Sequence, residues 1–227
     1  MRKLMSACCI LMCILADAHA ESYEQVQQQC MEIAAQNPPQ VEIIYNYGKL
    51  RINTDFDQEQ LQKFHYDMTK EKAENLNGLT SLQPSILLDG LNKMDYRVLP
   101  NGYYCLFPTA LNVKVYYEPV IYILKTISKG TCRYNLTLRH EYTHVDIGYT
   151  AMNLLVQALK NQLPLIAMQT GVRAMPEDKA TAELAEMNDA YQAQAMQIWN
   201  LFQQALKQQH QKLDVHETYA RETAMCK

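Results

Sequence analysis

Apolar positions along this chain change their spacing near residue 130, and that change divides it into two parts. Ahead of it, short runs of β-branched and aromatic residues alternate with turn signals; behind it, the period is helical almost to the end. Residues 22 to 36 predict a short helix stopped by Asn37-Pro38-Pro39, and Thr54-Asp55 predicts the start of a second over about 57 to 72. Val41 to Tyr47 and Leu50 to Asn53 flank Gly48 as a predicted hairpin, and Asn77-Gly78 marks a turn. Ile86 to Leu91, Tyr96 to Leu99, Tyr103 to Phe107, Asn112 to Tyr117 and Val120 to Thr126 then read as an antiparallel meander. Asn101-Gly102, Pro108 and Pro119 punctuate it.

After Lys129-Gly130 the period predicts two long helices, interrupted at Pro164 and separated by a turn at Ala174-Met175-Pro176-Glu177-Asp178. The expected fold class is therefore α+β, an antiparallel sheet followed by a long C-terminal helical hairpin. Residues 21–132 form the sheet-rich part and 133–227 the helical part of one expected domain. The strand Val120-Ile121-Tyr122-Ile123-Leu124 is a candidate edge on which an extended peptide could align.

The N-terminus changes the picture of where this domain works. Arg2 and Lys3 precede an apolar run from Leu4 to Leu15, and Ala18-His19-Ala20 supplies a small-x-small cleavage site, so residues 1–20 are expected to be a secretory signal peptide. Asp17 and His19 end the run short of a membrane span, and no anchor is expected after cleavage. Removing the leader takes the formal charge from −3 to about −4. That mild acidity argues against a nucleic-acid partner. Of the seven cysteines, Cys30, Cys105, Cys132 and Cys226 remain, in an oxidising compartment that favours disulfides. Four cysteines allow three pairings. The expected one joins Cys105 to Cys132 across a local loop and Cys30 to Cys226 at the two chain ends.

Candidate chemistry sits at the start of the first long helix, where His140-Glu141-Tyr142-Thr143-His144 forms an H-E-x-x-H run. On a helix this spacing puts the two imidazoles about 40° apart on one face, where they can share a tetrahedral Zn²⁺. Glu141 then sits beside the ion. A carboxylate there can take a proton from zinc-activated water and pass it to a leaving amine, as in zinc peptidases. Such a site needs a third protein ligand. The metzincin continuation is absent, because Ile147 and Thr150 stand where it places Gly and His.

Glu177, Glu183 and Glu186 are acidic candidates further along, but a helical hairpin about Ala174-Met175 puts them near its turn. The same construction places His140 level with residue 209, beside His210, with Asp214 one turn later on the same face. His210 also continues the apolar stripe Ile198, Phe202, Leu206. It is the candidate third ligand, with Asp214 either the ligand itself or the carboxylate that orients His210. His216-Glu217 remain a further candidate, and Tyr219 is a candidate donor to a developing oxyanion. His65 is expected at the surface or its boundary. Asp146 faces away from His140 and His144, and Asn135-Leu136-Thr137 matches a glycosylation sequon at an unsuitable, buried helix start.

Gly130-Thr131-Cys132-Arg133-Tyr134, Arg139 to Val145, and His210 to Asp214 with Tyr219 and Cys226 together resemble an uncharacterised group of bacterial secreted proteins described as predicted zinc-dependent proteases, from about Val41 to the C-terminus. The resemblance implies a Gram-negative cell envelope setting, with His140, His144 and Glu141 at the motif positions. The expected function is a secreted or periplasmic zinc metallopeptidase acting on a peptide or protein substrate. The alternative is a non-catalytic metal-binding or envelope interaction protein on the same scaffold.

Overall fold

A computed structural model describes residues 22–215 and 224–226. The expected leader, and the candidates His216, Glu217 and Tyr219, lie outside the described residues. Helix α1 (Tyr23–Gln36) starts at a capping box in which the Ser22 hydroxyl accepts from the Gln25 amide and the Gln25 side chain returns to the Ser22 amide. It buries Val26, Cys30 and Ala34, one face at four-residue steps. Helix α2 (Gln58–Thr69) opens on the same device, with Asp57 and Gln60, and ends at Lys70 in the left-handed region.

Two mixed sheets replace the expected antiparallel meander. The larger one joins β1 (Gln40–Tyr47), β4 (Ser85–Leu88), β5 (Lys93–Val98), β6 (Tyr104–Tyr117) and β8 (Arg173–Met175), and every pairing in it involves β6. The smaller has the order β2 (Arg51–Asn53), β7 (Val120–Ile123), β3 (Gly78–Ser81). β1 runs parallel to β6 and β2 parallel to β7, so the predicted hairpin about Gly48 does not form. Instead β1–β2 and β6–β7 are two bent strands lying side by side, each crossing from one sheet to the other at a kink. Gly48 donates to the Tyr117 carbonyl at 2.8 Å there, and a Cβ on it would come within 3.1 Å of Glu118. Pro119 marks the kink on the other strand. Local β-propensity reveals strands but not their partners, which is why the pattern suggested consecutive antiparallel pairs.

β6 is longer than the two short strands expected for it, and a register shift makes this workable. Lys93 pairs with Ala110 but Met94 with Pro108, leaving Thr109 as an extra residue. One extra residue reverses which face the following side chains point to. Cys105 and Phe107 accordingly pack with Val26, Cys30 and Ala34 of α1, whereas Leu111, Val113, Val115 and Tyr117 enter the main core. This arrangement corrects the disulfides. Cys30 bonds Cys105 and Cys132 bonds Cys226, not Cys105 with Cys132 and Cys30 with Cys226. Both Cys30 and Cys105 are fully buried between α1 and β6, while Cys132 is exposed at the start of the next helix.

That helix, α3 (Cys132–Thr170), is capped by the Thr131 side chain and is unbroken at Pro164. The predicted interruption is absent; a proline removes one helical hydrogen bond, which a well-packed helix of this length tolerates. Its buried residues follow steps of three and four from Tyr134 to Thr170. Most of the stripe is apolar. Thr137, His140, Glu141 and His144, near its beginning, and Thr170 at its end are the polar exceptions. A short 3-10 turn (Glu177–Lys179) follows β8 and leads into α4 (Ala180–Leu213), whose Met187, Tyr191, Ala195, Ile198, Trp199, Phe202 and Leu206 pack into the same core. Tyr117 docks β6 onto α3, its hydroxyl donating to the Val145 carbonyl at 3.1 Å. A Cβ on Gly148 would sit 2.0 Å from that hydroxyl, so only glycine admits this approach.

β7 is paired on both sides, by β2 and by β3. The expectation that Val120 to Leu124 offers a free edge is therefore corrected, because its backbone groups are already committed to the ladder. The strand that ends this sheet next to α3 is β3. No helix among the described residues is long and apolar enough to cross a membrane.

Candidate metal centre

His140 and His144 lie one turn apart on α3, buried, with ring centroids 5.0 Å apart. Their Nε2 atoms converge on a single oxygen. Asp214 Oδ1 lies 3.1 Å from Nε2 of His140 and 3.0 Å from Nε2 of His144. One ligand atom from each of the three residues falls within 4.8 Å of the others. Donor atoms on a tetrahedron at zinc-ligand distance lie about 3.3 Å apart, so the two short separations fit a shared ion with an adjustment of a few tenths of an ångström. Two imidazoles and one carboxylate also match the chemistry of a catalytic donor set.

Asp214 reaches this position because it ends α4. Its backbone amide donates to the His210 carbonyl at 3.1 Å, after which the chain leaves the helix. The expected level pairing of His140 with residue 209 is displaced by about one turn; His144 meets His210, and His140 meets Asp214. Of the two residues that sequence reasoning offered on this helix, Asp214 is the one beside both Nε2 atoms. His210 contacts the opposite end of the His144 ring, with the two Nδ1 atoms 2.7 Å apart. Its imidazole is held neutral, with a pKa lowered to about 4, chiefly by burial and then by His144, against a smaller opposing pull from Asp214.

Glu141 is turned toward the smaller sheet. The Thr80 hydroxyl on β3 lies 2.8 Å from its Oε2 and 3.1 Å from its backbone carbonyl, and can donate to one of them at a time. Gly78 makes room for this contact, since a Cβ there would come within 2.7 Å of Glu141 Oε1 and 2.6 Å of Thr137 Cγ2. Burial raises the Glu141 pKa above the ordinary carboxylate value, and Asp214 adds to the rise. His144, the Thr80 hydrogen bond and His140 oppose it. Sequence reading placed a turn at Asn77-Gly78 and so missed β3, Gly78 and Thr80; a four-residue Gly-Leu-Thr-Ser strand leaves almost no periodic signal.

The other candidates lie elsewhere. Glu183 pairs with Arg173 at the turn of the hairpin, and Glu186 lies 3.9 Å from the same guanidinium. Glu177 lies beside Tyr104, whose phenol pKa its carboxylate raises. His65 closes the end of α2, with Nδ1 3.1 Å from the Glu71 carbonyl. Asp146 is exposed. Comparison of the chain with protein-family models, curated proteins and solved structures finds no match. The likeness to predicted zinc-dependent proteases thus rests on the His140/His144 helix with Asp214, a zincin-like motif, and on no wider family.

Proposed function

We propose that this protein is an exported zinc-dependent peptidase in which His140, His144 and Asp214 hold the ion and Glu141 handles the proton. The observation that carries the reading is the convergence of both Nε2 atoms on Asp214 Oδ1, with the buried Glu141 next to His140 in the chain. A zinc ion held by two neutral imidazoles and one carboxylate supplies Lewis acidity toward water and a peptide carbonyl. Glu141 accepts a proton from the attacking water as the C–O bond forms, and returns it to the amine nitrogen as the C–N bond breaks. Burial raises the Glu141 pKa above the ordinary carboxylate value, the direction that favours a group which must both take up and give back a proton.

Export is supported by the leader pattern and by two disulfides among the described residues, which fit an oxidising compartment such as the periplasm. Purified mature protein is expected to take up one zinc per chain and to hydrolyse members of a peptide library. Glu141→Gln should keep the zinc and lose hydrolysis. A Glu141→Gln variant as active as the parent would remove the peptidase reading and leave a metal-binding protein without turnover. Failure to bind zinc would remove both.

A further inference from the structure

His144 is bonded at both ends of its ring. Nε2 faces Asp214 Oδ1 at 3.0 Å and Nδ1 faces Nδ1 of His210 at 2.7 Å. A hydrogen bond between two imidazole nitrogens holds one proton, carried by one ring and accepted by the other. A neutral imidazole has one proton to place on its two nitrogens. The three residues are therefore linked by proton count.

Without a cation, the Asp214 carboxylate can only accept, so His144 places its proton on Nε2. Its Nδ1 is then bare and accepts from His210 Nδ1–H. With a cation held through Nε2, that nitrogen must be bare and the His144 proton moves to Nδ1. His210 Nδ1 must now accept, so its own proton belongs on Nε2. The two arrangements hold the same number of protons and differ in the tautomer of both rings. Metal-ligating histidines usually give their second N–H to a carboxylate, a backbone carbonyl or water. Here the acceptor is another histidine.

We propose that His210 is a positioning residue of the metal centre. It receives the Nδ1–H of His144 and so selects the tautomer whose Nε2 ligates. Zinc loading reverses the direction of the His144–His210 hydrogen bond and moves the His210 proton from Nδ1 to Nε2. This inference rests on the metal-binding reading above. It assigns His210, which the sequence offered as a ligand, a role behind His144. His210 Nε2 is buried with no hydrogen-bond partner among the described residues, which disfavours a charged His210 and makes the N–H that zinc loading places on Nε2 the cost of the switched tautomer.

The test is a zinc titration of histidine-¹⁵N-labelled mature protein, followed by long-range ¹H–¹⁵N spectra that distinguish Nδ1–H from Nε2–H rings. His210 signals are assigned by their loss in His210→Asn. Zinc is expected to convert His144 to the Nδ1–H form and His210 to the Nε2–H form. His210→Ala should weaken zinc binding by about 10- to 100-fold. His210→Asn, whose Oδ1 can accept at the place of Nδ1, should recover most of that loss. Wild-type protein that takes up no zinc overturns this inference together with the metal-binding reading. Zinc uptake with an unchanged His210 tautomer, or with His210→Ala affinity within twofold of wild type, overturns this inference alone. If the alanine variant fails to fold, the wild-type tautomer shift and the asparagine variant still decide. An asparagine variant no better than alanine would point to direct ligation by His210 and against a positioning role.

Discussion

The Thr80 hydroxyl lies 2.8 Å from Glu141 Oε2 and joins the last strand of the small sheet to the one carboxylate buried within the H-E-x-x-H turn. Sheet and helix are thus coupled at the group proposed for proton transfer. Gly78, two residues earlier, keeps β3 close enough for the bond to form.

Removing that hydroxyl leaves a buried carboxylate with one donor fewer. Thr80→Val is expected to lower unfolding stability by about 1–3 kcal/mol, and Thr80→Ser by less, because serine keeps the donor. Urea denaturation of the three proteins checks this. Equal stabilities for the valine and serine variants would mean that the hydroxyl contributes nothing beyond filling space.

The disulfide pattern is open to direct chemical mapping. A non-reducing digest should yield one peptide pair joining Cys30 to Cys105 and another joining Cys132 to Cys226. These bonds close spans of 75 and 94 residues, each worth about 4.5 kcal/mol in the loop-entropy model. Replacing Cys30 and Cys105 together by alanine should therefore cost several kcal/mol in thermal unfolding. A digest in which Cys105 is joined to Cys132 would contradict the packing of α1 on β6.

Acid stability of the metal-free protein should carry the mark of His210. The folded state holds its pKa near about 4, while an unfolded histidine titrates near about 6.5. Between those values the unfolded chain binds a proton that folded His210 refuses, so stability present above pH 6.5 is lost as pH falls toward 4. Glu141 acts in the opposite sense, since its raised pKa favours the folded state toward acid. That contribution is common to wild type and His210→Asn. In chelator, the variant's stability should fall less steeply over this window, and equal slopes would show that His210 does not contribute.

Several elements were legible in the chain itself. The stop at Asn37-Pro38-Pro39 and the three-and-four spacing of α3 and α4 are local signals with local causes, whereas the cap of α2 is Asp57 rather than the expected Thr54-Asp55. His140, Glu141 and His144 were legible for the same reason, because one helical turn sets their spacing. Asp214 and His210 were legible only as a pair, since the hairpin estimate brings this end of α4 to the two imidazoles but is displaced by about one turn.

Local sequence therefore determined the helices, their caps and the two imidazoles on one face of α3. The tertiary structure alone decided the parallel pairing of β1 with β6, the disulfide partners, the support of Glu141 by Thr80, and the placement of Asp214 beside both Nε2 atoms with His210 against Nδ1 of His144. Each of those depends on groups 61 or more residues apart in the chain. Propensity and periodicity act over a few residues; which distant surfaces meet is set by how the whole apolar stripe of α3 and α4 is buried against the sheet.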